Sequence, residues 1–463
     1  MKSFLNILTI AVIGLSLGFN GNVFGQYSQE WLNPYQKTGA VMPPTVVKMQ
    51  AVGEYIYLLG TVQGENIAEE DFLLIKLDRS GNTVWVQTYA GPGNYHDKPA
   101  DMAFDNYGNI YVTGLSYQSP VGVDASDYWT MKYSPEGSVL WTATHTSEPG
   151  HGDEPCGIEV WNNMVFVSGK SVHIAGPATA EDYHSEIYNA DTGKRIWKHS
   201  WNGTGEDRRN YPNDMTLDTG GNMIVAGRST HPNDDYSIVR YKWDTVYVKP
   251  DSIQIVLVFD WEQYFNGSAD ERDEAYAVVT NNVGDIYITG ESWSNEGQQD
   301  ITTVKYDKFG NLKWSHSING TNNKRDMPIG IALDGEENVI VVGYLWNLKS
   351  DKDFCTLKYT PEGDSVWTTA WLNMAGQTNF PKDFVLDSED NIYITGDKMS
   401  QMYVHKLNKN GNLAWESFVV DNDGQQILGE GQAITVDDEG NIYIAGSNVR
   451  NINQITITKF KKM

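Results

Sequence analysis

Along this chain, short runs rich in Val, Ile, Tyr, Thr and Trp alternate with clusters of Gly, Asn and Asp, and helical periodicity is absent. Such runs bounded by turn formers predict β-strands joined by tight hairpins. Two phrases recur. The first is Gly108-Asn109-Ile110-Tyr111-Val112-Thr113-Gly114 and its copies. The second is Asp300-Ile301-Thr302-Thr303-Val304-Lys305-Tyr306, followed by a Gly-Asn turn and Trp314. Each unit reads as four short strands. Asp105 to Asn109 marks the turn of the first hairpin and Asp307 to Asn311 that of the last, both suited to a type I turn closed by a left-handed glycine.

The first phrase ends at Gly60, Gly114, Gly169, Gly227, Gly290, Gly343, Gly396 and Gly446, which counts eight units. The closing tryptophan appears downstream at Trp85, Trp141, Trp197, Trp261, Trp314, Trp367 and Trp415, so the eighth unit lacks one. Trp31 lies 54 residues before Trp85, in step with the period, and supplies the missing copy. A tandem unit that cannot bury its own faces must stack on its neighbours. Four antiparallel strands repeated radially make a propeller. The expected fold is therefore all-β, an eight-bladed ring whose last blade, residues 431–463, is completed by the strand around Trp31 so that no sheet edge is left half-built. Residues 242–258 lengthen one hairpin of the fourth unit and are expected to project from the rim.

Asp387 to Gly396 and Asp437 to Gly446 resemble the unit of the bacterial β-propeller repeat family known as SBBP, and the resemblance runs through nearly everything after residue 27. It implies a propeller of a secreted or surface protein; that family more often has seven blades, the alternative to the eight counted here. Tyr188 to Trp197, with Asp191-Thr192-Gly193-Lys194, is also similar to the repeat of eight-bladed quinoprotein dehydrogenases. The chain has no adjacent cysteine pair of the kind that family places against its quinone.

Lys2, the apolar run Phe4 to Leu17 and Val23-Phe24-Gly25 read as a secretory signal cleaved after Gly25, leaving residues 26–463 as one propeller domain. No stretch is long and apolar enough for a comfortable membrane span. The expected product is an exported monomer. Cys156 and Cys355 fall in the third and sixth units, too far apart around a ring for a disulfide. A formal charge of −26 disfavours nucleic acid and anionic membranes as partners. No cofactor is expected. Calcium is the one ion that Asp270-Glu271-Arg272-Asp273-Glu274 brings to mind, although no EF-hand spacing is present.

Candidate chemistry lies where the repeat is interrupted. The loops after the Trp strand and after the Asn-Ile-Tyr strand open on one face, and variable loops on a rigid scaffold carry function. On that face fall Tyr95, His96, His151, His173, Arg208, Arg209, Tyr211 and His231. Trp293 and Trp346 stand outside the register of the other tryptophans and suit stacking on sugars. The leading expectation is a binding propeller that presents this face to a glycan or protein partner. The alternative is a polysaccharide lyase acting on a uronate, with Arg208 neutralising the carboxylate and His151 and Tyr211 moving protons. Zinc would need a histidine set, and His-x-x-x-His spacing is absent. The acid or amide opening each inner strand, namely Asp97, Asp153, Asn210, Asp273, Asp326 and Asn379, recurs and is assigned to holding loop amides.

Overall fold

The computed structural model describes residues 27–463 apart from 66–68, 94, 119–125, 148–151, 176–177, 204–208, 231–233, 250–251, 296, 322, 347–351, 371–378 and 451–453. Residues 1–26, which hold the segment read from sequence as a secretory signal, lie outside them. The described residues form eight four-stranded antiparallel sheets and no helix. Blades 1 to 7 span residues 45–89, 97–145, 154–201, 210–265, 274–318, 327–370 and 379–418. Blade 8 combines residues 429–462 with the N-terminal strand Tyr27–Tyr35. The first strand of each blade packs against its counterparts in the two neighbouring blades, so it is the innermost and the ring is closed. Among the described residues no helix is long and apolar enough to cross a membrane.

The closing strand pairs antiparallel with Ile455–Lys462, from Tyr27 opposite Lys462 to Tyr35 opposite Ile455. Trp31 then takes the place that the other tryptophans hold in their blades. Its indole N–H donates to the Arg79 carbonyl at 3.2 Å, as Trp85 does to Pro135, Trp141 to Ala190, Trp261 to Lys308, and Trp314 to Pro361. In each case the indole lies on the glycine of the next blade's last hairpin. At Gly81, φ is +86° and an added Cβ would stand 2.7 Å from the Trp31 ring. Only glycine meets both demands, the left-handed backbone and the close approach. Blade 4 breaks the rule because its last hairpin is lengthened to Asp235–Lys249 and Ser252–Phe265. There Trp197 packs edge-on against Tyr241, and Trp243 donates to the Gly221 carbonyl at 2.9 Å.

Asp in the first turn of most blades accepts the amides of the residues two and four further on, as Asp105 does from Tyr107 and Asn109, both at 2.9 Å. The glycine closing such turns is left-handed, Gly108 at φ +79° in a first hairpin and Gly310 at +84° in a last one, as the sequence implied. Nearer the axis, three aspartates staple one blade to the next: Asp101 accepts from the Ile158 amide, Asp214 from Val278 and Asp383 from Ile434. Cys156 and Cys355 are both free thiols, and burial pushes both well above the usual thiol range.

Candidate functional site

The two loop sets meet on one face. Loops that lead into an inner strand bond to the start of the third strand in the blade before: the Asp153 amide donates to Ser126, Asp273 to Asp234 and Asp326 to Gln299, at 2.7–2.8 Å. The recurring acid holds this junction. Asp326 accepts the Gly320 amide at 2.5 Å and the Trp346 amide at 2.7 Å; Asp273 does the same for Gly267 and Trp293. Asp153 accepts from Ser147 and Val172, and Asp97 from Gly91. Asn210 instead accepts from Ser229 and donates to the Glu181 carbonyl. These five are scaffold, whereas neither side-chain polar atom of Asn379 has a hydrogen-bond partner among the described residues.

Just beyond this series, two positions per blade stand opposite each other on the first and second strands. They are the residue after the recurring acid and the residue after the recurring glycine. They pair as Glu154 with Lys170, Tyr211 with Arg228, Glu274 with Glu291, Met327 with Tyr344, and Phe380 with Asp397. Across blades 3 to 7 their side chains form a continuous belt. Lys170 lies 3.5 Å from Glu154 and 5.8 Å from the Tyr211 ring centroid. Arg228 covers the same ring at 4.2 Å and reaches Asp234 at 3.0 Å and Glu274 at 3.6 Å. Arg325 bridges Glu291 through two contacts, at 2.6 and 2.8 Å, and donates to the Tyr276 hydroxyl at 3.2 Å. Lys352 sits 4.2 Å above Tyr344 and 4.1 Å from Phe380, two rings that meet edge to face at 5.5 Å.

Of the residues singled out from sequence, Tyr211 belongs to this belt. It is half-buried, and burial together with its hydrogen bond to Glu181 pushes the phenol up to about 12, so it stays protonated at neutral pH. With Glu154, Pro155, Cys156, Lys170, Pro212 and Asn213 it lines a cavity of about 170 Å³. Trp293 and Trp346 are half-buried at equivalent ends of the second strand in blades 5 and 6. Tyr95 and His96 lie apart, between blades 1 and 2, where His96 approaches Glu70 at 3.7 Å and the Tyr117 ring edge-on. Arg209 is exposed, its backbone bridged to Glu181. His173 stands on Met164–Ala175 opposite Ala180, its side chain outside the described residues. His151, Arg208 and His231 also lie outside them.

A larger cavity of about 510 Å³ lies at the ring seam, lined by Glu30, Trp31, Arg79, Ser80, Glu439, Lys459 and Lys461. Its walls are the ion pairs that close the ring, Lys459 with Glu30 at 2.8 Å and Arg79 with Glu439 at 3.3 Å. We assign it to the scaffold.

One donor cluster escaped the sequence because it forms across a blade boundary. His145 Nδ1 and His184 Nε2 each lie 3.1 Å from Glu186 Oε1, and all three residues are buried. Their far nitrogens meet Ser171 and Ser200 hydroxyls at 3.3 and 2.8 Å. A metal fits poorly. Arg195 Nη1 already occupies the same oxygen at 2.7 Å and Tyr188 the other, and the two rings stack 3.8 Å apart at 14°, so their lone pairs run nearly parallel. The cluster solvates a buried carboxylate instead; His145, His184 and Tyr188 hold Glu186 well below the ordinary glutamate range against its burial.

Comparison with known proteins supports the ring. Residues 87–119 match the SBBP family model, described as a β-propeller repeat. A europium-containing methanol dehydrogenase aligns over 94% of this chain and 93% of its own, at 10% identity and a TM-score of 0.50. A Lactobacillus plantarum protein aligns over 78% and 94%, at 14% identity and 0.47. At such identities the likeness is one of fold. No curated protein matches the chain in sequence. The eight four-stranded sheets and the closed ring make the chain an eight-bladed β-propeller, in which residues 87–119 match the SBBP repeat.

Proposed function

We propose that this is an exported binding propeller that presents the loop face of blades 3 to 7 to a glycan. A propeller is an interaction scaffold by construction, because its rigid ring holds many loops toward one partner. The observation that carries the glycan reading is the belt across blades 3 to 7. There Tyr211, Tyr276, Tyr344, Trp346 and Phe380 alternate with Arg228, Arg325 and Lys352. Aromatic faces bury the apolar C–H faces of sugars, and fixed charges and carboxylates bond their hydroxyls. Protein partners on the same face are the competing occupants.

The test is a glycan array probed with the full chain and with the Trp293→Ala/Trp346→Ala variant. Binding to a defined glycan class, weakened at least tenfold in the variant, is the expected result. No binding to any glycan refutes the reading. Incubation with uronate polymers, followed by ultraviolet absorbance of an unsaturated product, registers the lyase alternative. For that chemistry Tyr211 brings a protonated phenol suited to general acid work, which it could lend only by leaving Glu181.

A further inference from the structure

Cations on the loop face come in two kinds. Arg325 is neutralised by Glu291 at 2.6 Å and Lys382 by Glu430 at 2.9 Å. Lys324 and Lys352, by contrast, have no carboxylate partner among the described residues; what holds them is aromatic. The Lys324 ammonium lies 4.4 Å from the Trp346 ring centroid. The Lys352 ammonium lies 5.1 Å from the same centroid, besides its seats on Tyr344 and Phe380. The two ammoniums are thus no farther apart than the sum of those two distances.

Cation–π attraction fixes both side chains, so little rotamer entropy is left to lose when an anion arrives. Burial, with Arg325 and Lys382 close by, pushes Lys352 below its ordinary value, as expected of a cation that lacks a counter-charge. In a chain of formal charge −26, two cations that share the Trp346 ring and have no carboxylate partner among the described residues form a local exception. Their complement is a molecule with an apolar ring face and an anionic substituent.

We propose that Lys324 and Lys352, seated on Trp346, Tyr344 and Phe380, form a subsite for the carboxylate-bearing ring of a uronate-containing glycan. The carboxylate makes charge-assisted hydrogen bonds to the ammoniums while the sugar packs beside the half-buried indole. This assignment rests on the reading of the loop face as a glycan-binding surface, and it adds the substrate class and the residues that select it.

Calorimetric titration of the full chain with a galacturonate oligomer and with a neutral galactan oligomer of equal length separates the two claims. The expected result is at least tenfold tighter binding of the acidic oligomer, with the preference abolished in Lys324→Met/Lys352→Met. Methionine keeps the apolar stem over the rings, and an unchanged melting temperature confirms the fold. The two single variants, each expected to lose part of the preference, serve if the double variant melts early. Equal binding of both oligomers to the wild-type chain, or a preference that survives both substitutions, overturns the subsite and leaves glycan binding standing. Binding of neither oligomer, together with a blank glycan array, overturns both.

Discussion

Asp235 opens the third strand of blade 4 beside the loop that delivers Asp273 to blade 5. It is 2% exposed, and its Oδ1 has no hydrogen-bond partner. Burial raises its pKa to about 7, and the neighbouring carboxylates Asp273, Asp270 and Asp234 push in the same direction. A carboxyl whose folded pKa exceeds its unfolded value stabilises the fold fully below the unfolded value of 3.8, and that stability is lost as pH rises through about 7. Between pH 5 and pH 8 the loss amounts to roughly 2–3 kcal/mol, from 1.36 kcal/mol per pKa unit over the part of the shift that this window spans. Asp235→Asn keeps the shape and removes the titration. Its stability relative to the wild type should rise by that amount between pH 5 and pH 8, a shift of a few degrees in Tm. Comparing variant and wild type at each pH cancels every other titrating group. A stability difference that stays constant from pH 5 to pH 8, or one that moves toward the wild type, refutes the reasoning.

Deleting residues 27–40 removes the fourth strand of blade 8 and exposes the edge of Ile455–Lys462, so Tm should fall sharply; an unchanged Tm overturns the account of ring closure. Gly411→Ala forces a side chain onto a backbone at φ +78° and places its Cβ 2.7 Å from the Trp367 ring, which should cost about 2 kcal/mol or more in urea melts. Burial pushes His405 down to about 3 while the unfolded value stays at 6.5. The stability it gives by staying neutral is therefore lost as pH falls below 6.5, by roughly 2 kcal/mol at pH 5, and His405→Phe should flatten that acid limb.

Blade count, closure by Trp31, the lengthened hairpin of blade 4 and the scaffold role of the strand-opening acids were all legible in the sequence. Each depends on a residue that must recur for neighbours to stack: glycine under an indole, aspartate capping a turn, acid holding a loop. The face proposed for binding was legible only in outline. Trp293 and Trp346 stood out because they broke the tryptophan series. Lys324, Lys352, Tyr344 and Phe380 carry no motif; the first three meet on blade 6 and the loop that leads into it, and Phe380 joins them because blade 7 is adjacent. One signal was available. The positions after each recurring acid and glycine form a column whose occupants change from blade to blade, and reading down it gives Tyr211, Arg228, Tyr344 and Phe380 directly. The His145–Glu186–His184 cluster had no such signal, since its members sit at unrelated register positions in two blades.

The division between repeating scaffold and interrupting loop is not absolute, because the scaffold acid grips the ligand-facing residue itself. Asp326 is fully buried, and its carboxylate binds the Trp346 amide with one oxygen and the Gly320 amide with the other. The indole that seats Lys324 is thus fixed from beneath by a residue that repeats around the ring. Asp326→Ala leaves two buried amides unpaired, at about 1–3 kcal/mol each, and loosens both loops that carry the lysines' floor. Asp326→Asn keeps one good acceptor and should fall between alanine and wild type. The expected order of glycan affinity is wild type, then Asn, then Ala, and Trp293 on its own acid, Asp273, should bind as before. If Asp326→Ala lowers Tm without changing affinity, the acid holds the ring alone; if affinity falls in the stated order at a temperature where all three proteins are folded, the repeat positions the site.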